Sequence, residues 1–234
     1  SGATKEFYFL EMNTRLQVEH PVTEMITGVD LVELMIRVAA GEPLPFKQED
    51  IKPNGWAIEC RINAEDPFRG FLPSVGRLVK YRPPETVEGQ VRVDTGVFEG
   101  GEISMYYDSM IAKLICHGGT RDQAIARLRD ALNAFVIRGI DSNIPFQAAL
   151  MQNPRFLSGV FTTAFLAEEY PDGFVAADVV HDDPGLLAAL AAFGRRRYID
   201  RAVQVSGQMA GHQRKVGDEW VVQMEGKDYP VVVK

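Results

Sequence analysis

From Phe7 to Glu19 the residues alternate in character. Leu10, Met12, Thr14, Leu16 and Val18 fall on one side of an extended chain, and Glu11, Asn13, Arg15, Gln17 and Glu19 on the other. The alternation predicts a strand that stops at His20-Pro21, because proline cannot donate to a ladder and restricts the residue before it. In "GVDLVELMIRVAAGEPLP" the period changes to that of a helix. Asp30 is placed to cap it, Glu33 stands where a capping box requires it, and Gly41 and Pro43 stop it. Leu31, Leu34, Met35 and Val38 form an apolar stripe expected to pack into the core.

"GWAIECRINAED", "GRLVKYRPP", "GQVRVDTGVFEGG" and "YYDSMIAKLICHGG" predict four more strands, with Gly and Pro at the junctions, as suits antiparallel pairing. Helices are expected in "TRDQAIARLRDALNAF", capped by Thr120, in "NIPFQAALMQNP", and in "TTAFLAEEYPDGF" as far as Pro171. The class is α+β. After Phe174 the character changes, so a first domain is expected over 1–174 and a second over 175–234. The second begins as a linker and continues as a helix with Asp183 as cap and Pro184 at its first position. It ends in a hairpin, "EWVVQMEGKDYPVVVK". There is no internal repeat.

The totals narrow the function classes. With 46% hydrophobic and 24% charged residues in 234, the composition is that of a globular protein. A net charge of −7 argues against a general binder of nucleic acid or anionic membrane, though it allows local basic pockets. Cys60 and Cys116 lie in no metal-type spacing, so reduced, buried thiols in a reducing compartment are expected. No run approaches the ~20 apolar residues that span a bilayer. The chain opens without Met or a signal peptide and enters its first extended run almost at once, as expected of a piece of a longer protein.

The polar side of the opening run carries the candidate chemistry. At ~3.3 Å per residue, Glu11 and Glu19 would stand roughly 26 Å apart, too far for one small substrate. Glu11 and Asn13 offer oxygen ligands to a hard cation such as Mg²⁺. Arg15 and Gln17 offer donors to a small planar anion, and Glu19 is placed to act as a general base. An edge strand with a solvated polar face explains the same alternation, and spacing alone leaves both readings open.

"FYFLEMNTRLQVEHPVTE", together with "ECRINAEDP", "FLPSVGRL" and "YYDSMIAKLI", closely resembles the biotin carboxylase family of biotin-dependent carboxylases, nearly continuously over residues 7–166. The resemblance implies the C-terminal portion of an ATP-grasp domain. It implies an enzyme that uses ATP and bicarbonate to make carboxyphosphate and then carboxylates a protein-linked biotin, with Mg²⁺ or Mn²⁺. Glu11 and Asn13 match metal ligands, Arg15 the arginine that holds bicarbonate, and Gln17 and the Val18 backbone further bicarbonate contacts. Glu19 matches the base. Arg61 matches the arginine that steadies the biotin enolate; without the resemblance, a salt bridge to Glu65 or Asp66 would serve as well. Asp108 and Lys113 are weaker candidates, expected to organise the site, and His20 is expected to be structural.

The tail resembles, more loosely, the propionyl-CoA branch of the acyl-CoA carboxylase alpha subunits. There a helix and an antiparallel β-barrel dock on the carboxyltransferase beta subunit and link to the biotin carrier domain. A methylcrotonyl-CoA or broader acyl-CoA branch remains an alternative. The resemblance implies a large hetero-oligomer, cytoplasmic in a bacterium or in the mitochondrial matrix of a eukaryote. Arg195–Arg197 read as a solvated helix face or as a contact for an acidic partner. These 234 residues contain no "AMKM" biotinylation site, no Gly-rich lid and none of the family's phosphate-binding lysines. They are therefore expected not to turn over ATP alone. A docking module with an idle catalytic strand and another ATP-grasp ligase are the competing readings.

Overall fold

The computed structural model describes residues 4, 6–179, 183–207, 209, 211 and 216–234. The chain divides into two compact units, Ser1–Val179 and Val180–Lys234. The linker expected after Phe174 falls partly outside the described residues.

In the first unit, α1 (His20–Thr27) and α2 (Leu31–Ala39) precede β1 (Trp56–Asn63). Short strands β2 (Glu65–Asp66), β3 (Leu72–Pro73), β4 (Gly76–Arg77) and β5 (Lys80–Arg82) follow. Next come β6 (Val91–Thr95), β7 (Glu102–Ile103) and β8 (Met110–Gly118). The unit is completed by α3 (Arg121–Ala134), β9 (Val136–Arg138), α4 (Ile144–Leu150), α5 (Pro154–Ser158) and α6 (Phe165–Glu169).

Its centre is an antiparallel sheet in the order β1-β8-β6. The apolar run of β8 suits the middle position, where both edges and both faces are covered. Cys60 and Ile62 of β1, and Leu114 and Cys116 of β8, join Ile125, Leu128 and Leu132 of α3 in the core. Both thiols are free, and burial pushes each up to about 12, so they are inert at neutral pH. By the period of two, the opposite face carries Glu59 and Arg61, Lys113, and Arg92 and Asp94. Helix α1 packs on that side. Thr120 caps α3 by accepting from the Gln123 N–H. The strand can turn into the helix this tightly only because residue 118 is glycine: a Cβ there would lie 2.6 Å from the Ala124 nitrogen.

Asn143, 4% exposed, fixes the end of β1. Its Oδ1 accepts from the Asn63 N–H at 2.9 Å and its Nδ2 donates to the Arg61 carbonyl at 3.0 Å. Substituting Asn143→Ala leaves two backbone groups unpaired, each costing ~1–3 kcal/mol. Urea unfolding is expected to show a loss of about 2–4 kcal/mol; a midpoint unchanged from the parent would contradict this role.

The structure corrects several expectations. Residues 6–17 form no strand, because no described segment lies alongside to complete a ladder, and Phe7, Tyr8, Phe9 and Leu10 are each at least 79% exposed. His20-Pro21 starts a helix rather than merely ending a strand, since proline is tolerated in a first helical turn. The α2 stripe is not core: Leu31, Leu34, Met35 and Val38 line an open groove with Leu16, Leu44 and Phe46. "GRLVKYRPP" splits into β4 and β5 because the two halves pair with different strands, β7 and β9. Of the expected capping box, Asp30 accepts from Glu33 N–H at 2.8 Å, while the Glu33 carboxylate pairs with Arg37.

In the second unit, α7 (Pro184–Val203) is capped by Asp183, whose Oδ1 accepts from the Leu186 N–H at 3.0 Å. The hairpin pairs β10 (Glu219–Met224) with β11 (Lys227–Val232). Glu225 and Gly226 both have positive φ, the conformation of a two-residue type I′ turn. Ala188 and Ala192 are the buried residues of α7. The basic triplet is not a uniform solvated face: Arg196 is mostly buried and its Nη1 lies 2.9 Å from Asp218 Oδ1, while Arg195 stacks on Tyr198. Two strands make a hairpin, and no closed barrel is present among the described residues.

Candidate functional site

The entry of α1 brings the distal half of the opening run to the polar face of the sheet. The Gln17 carbonyl accepts from the His20 N–H at 3.2 Å and lies 2.9 Å from its ring Nδ1, which fixes the turn into the helix. His20 is thus structural. Glu19 is the residue before the helix, and its side chain makes no capping bond. Its Oε2 instead lies 3.0 Å from Nη2 of Arg61, 42 residues away on β1, with both side chains about half exposed.

Lys113 secures the backbone next to that pair. Its Nζ donates to the Val18 carbonyl at 3.2 Å and lies 3.2 Å from Asp94 Oδ2. Asp94 in turn takes a forked pair of bonds from Arg92 at 2.7 and 2.9 Å. Arg92 Nη1 reaches Glu24 Oε2 at 2.6 Å, and Glu24 Oε1 accepts from the Leu31 N–H at 2.8 Å. One chain of charged groups therefore ties the sheet to α1 and to the first turn of α2. Burial pushes Asp94 upward, but the hydrogen bonds from Arg92 and Lys113 outweigh it and hold the carboxyl below its usual range. Hydrogen bonds donated to Asp94 and Glu24 keep Arg92 firmly charged. Burial raises Glu59, with Lys113 and Arg61 offsetting part of the effect.

The structure brings together Glu19, Arg61 and, through Lys113, the Val18 backbone. Arg15 is exposed and donates to the neighbouring Leu16 carbonyl at 3.2 Å, and the Gln17 side chain is exposed. Glu11 and Asn13 are also exposed and stand apart from the charged chain. Arg61 takes Glu19 rather than Glu65 or Asp66. Glu65 accepts from Asn63 and Ser109, and Asp66 caps the turn at Phe68. Asp108 holds the Met110 N–H at 2.8 Å in its own turn. Glu24, Arg92, Asp94 and Glu59 escape a reading by motif. The "VRVDT" alternation places Arg92 and Asp94 on one face, but nothing in the sequence links them to Glu24, 68 residues from Arg92.

Among the described residues no group of three or more His, Cys, Asp or Glu could hold a metal by itself. The donor set at Glu11 and Asn13, one carboxylate and one amide oxygen open to solvent, nevertheless fits a Mg²⁺ shared with substrate phosphates. That ion is typically held by one or two carboxylates and completed by water and phosphate. No helix among the described residues is long and apolar enough to cross a membrane.

Comparison with known proteins shows consistent likenesses. Residues 59–168 match the biotin carboxylase C-terminal domain, residues 1–47 the ATP-binding domain of the carbamoyl-phosphate synthase L chain, and residues 187–234 the propionyl-coenzyme A carboxylase BT domain. The propionyl-CoA carboxylase alpha chain of Ruegeria pomeroyi is 57% identical, over 98% of this chain and 36% of that one. The human mitochondrial propionyl-CoA carboxylase alpha chain is 54% identical, over 80% of this chain and 26% of that one. The biotin carboxylase domain of Hydrogenobacter thermophilus 2-oxoglutarate carboxylase, solved with MgADP and bicarbonate, superposes with a TM-score of 0.68. It is 48% identical, and the match covers 75% of this chain and 37% of that one. The chain thus spans between about a quarter and a little over a third of the length of these relatives.

Proposed function

This chain belongs to the biotin carboxylase family, and from that premise we propose that it forms the distal part of the carboxylase site in an acyl-CoA carboxylase alpha subunit. The reaction is ATP- and bicarbonate-dependent carboxylation of a protein-linked biotin. The meeting of Glu19 and Arg61 at 3.0 Å carries the reading, because it joins a base to a fixed cation across two elements. Arg15 and Gln17, with the backbone of Val18, hold bicarbonate, and Glu19 takes its proton. Arg61 stands where negative charge develops on the acceptor, a strong form of electrostatic stabilisation. Lys113 holds Val18 in place. Glu11 and Asn13 would hold Mg²⁺ or Mn²⁺, which supplies charge neutralisation at the ATP phosphates.

Propionyl-CoA is the favoured final acceptor, with methylmalonyl-CoA as product, supported by the match of residues 187–234 to a propionyl-CoA carboxylase domain. By the same reading the first unit belongs to the ATP-grasp domain, and α7 with its hairpin begins a surface for a carboxyltransferase beta subunit. The biotin carrier and the rest of a large hetero-oligomer complete the machine, in a bacterial cytoplasm or a mitochondrial matrix. The test is ADP release by the full-length protein containing this segment, with ATP, bicarbonate and biotin. Release that requires bicarbonate, with carboxylated biotin as product, is expected. Release indifferent to bicarbonate would overturn the reading.

A further inference from the structure

Glu59 is the charged residue of the polar face that the chain of ion pairs leaves out. It lies on β1 two positions before Arg61, so the two side chains share a face about 7 Å apart along the strand. Its Oε2 is buried and has no hydrogen-bond partner. A buried polar atom without a partner is rare and calls for a specific reason. Four charged or titratable groups surround it electrostatically: Lys113 from β8, Arg61 from its own strand, Glu19 from the entry of α1 and His20 from α1 itself. Behind Lys113 stand Asp94 and Arg92 of β6, and Glu24 of α1.

We propose that Glu59 is a positioning residue for the anion site: its carboxyl, with the unpartnered Oε2, sets the net charge of the cluster formed by Glu19, Arg61 and Lys113 with the Arg92, Asp94 and Glu24 ion pairs behind them, and thereby how strongly that cluster holds bicarbonate. The inference rests on the bicarbonate site proposed above. With Glu59 neutral, the cations Arg61, Lys113 and Arg92 balance the anions Glu19, Asp94 and Glu24. With Glu59 ionised, the same cluster is negative by one charge. An incoming anion then meets repulsion from a carboxylate whose buried Oε2 has no hydrogen-bond partner to spread its charge. Binding of bicarbonate and uptake of a proton at Glu59 are therefore coupled, each favouring the other to the same degree.

The sign follows from burial. The neutral form of Glu59 persists above the pH at which an ordinary glutamate ionises, because desolvation disfavours its charged form. Affinity for bicarbonate is high below that ionisation and falls as the pH rises through it.

The experiment measures the KM for bicarbonate ion and the KM for ATP against pH, in the full-length protein and its E59Q and E59D variants. Glu59→Gln removes the charge and keeps the shape. It is expected to lower the bicarbonate KM ~3–10-fold on the alkaline side, as loss of one partly screened unit charge at this range implies. The pH dependence of that KM should flatten, with kcat changing less than KM and the ATP KM nearly constant. Glu59→Asp, still ionisable, should keep the slope of the parent. An unchanged bicarbonate KM in E59Q, or an effect falling on ATP instead, overturns the role of Glu59 while leaving the site reading intact. ADP release independent of bicarbonate in the parent protein overturns the site reading itself. If E59Q does not fold, ¹³C carboxyl titration of Glu59 in the parent with and without bicarbonate decides: a midpoint that bicarbonate raises supports the proposal, and one that bicarbonate leaves unchanged refutes it.

Discussion

Glu19→Gln is expected to lower bicarbonate-dependent ADP release by about 10²–10⁴-fold, the range a positioned general base contributes. The loss should fall on kcat and on kcat/KM alike, because the proton moves in the transition state and not on binding. The same substitution should barely touch the fold. Glu19 contributes only its backbone carbonyl to the first turn of α1, its side chain makes no capping bond, and it meets Arg61 in a pair about half exposed on both sides. Ion pairs of that exposure contribute ~0–1 kcal/mol. A large kinetic effect beside a small thermal one is what separates a base from a structural carboxylate. Steady-state kinetics and a thermal melt on the same preparation make the comparison. Turnover within threefold of the parent would remove Glu19 from the chemistry. A melt lowered by ten degrees or more would recast it as structural.

The parts of this molecule legible in the sequence are those governed by local rules. The alternation in "WAIECRIN" and "VRVDT" and the apolar run "MIAKLICHG" identify β1, β6 and β8, because a half-buried strand must alternate and a central one must be apolar. Thr120 and Asp183 announce their helices by cap chemistry alone. What escapes is whatever depends on a distant partner. Strand β9 has three residues and exists because β5 lies beside it. The opening run has a strand's pattern and no ladder, and the α2 stripe has a core helix's pattern and an open groove, since periodicity reports which face is apolar and not what covers it. The site divides in the same way. The alternation shows that Glu11 to Glu19 share a side, but only the fold brings Arg61 to Glu19 and Lys113 to Val18.

The fold also makes Glu24 a residue whose loss should cost both stability and the anion site. It is 7% exposed and serves two partners at once: Oε2 meets Arg92 Nη1 at 2.6 Å, and Oε1 accepts the Leu31 N–H at 2.8 Å. Removing one partner of a buried ion pair typically costs ~3–5 kcal/mol, because the group left behind has lost water and gained nothing. Arg92 is about a third exposed, so water recovers some of its charge, and the part-buried amide at the start of α2 loses its acceptor. Glu24→Ala is therefore expected to lose about 3 kcal/mol in urea unfolding, near the bottom of that range. Glu24→Gln keeps an acceptor for Leu31 and should lose less. The loss should also reach the anion site, because Arg92 anchors Asp94 and Asp94 anchors the lysine that holds Val18. A double-mutant cycle with Arg92→Ala tests the linkage. If the charged chain acts as one unit, the double variant should be little less stable than Glu24→Ala alone, and both should raise the bicarbonate KM. Strict additivity of the two losses would mean that the pair is merely adjacent, and that α1 is held on the sheet by its packing.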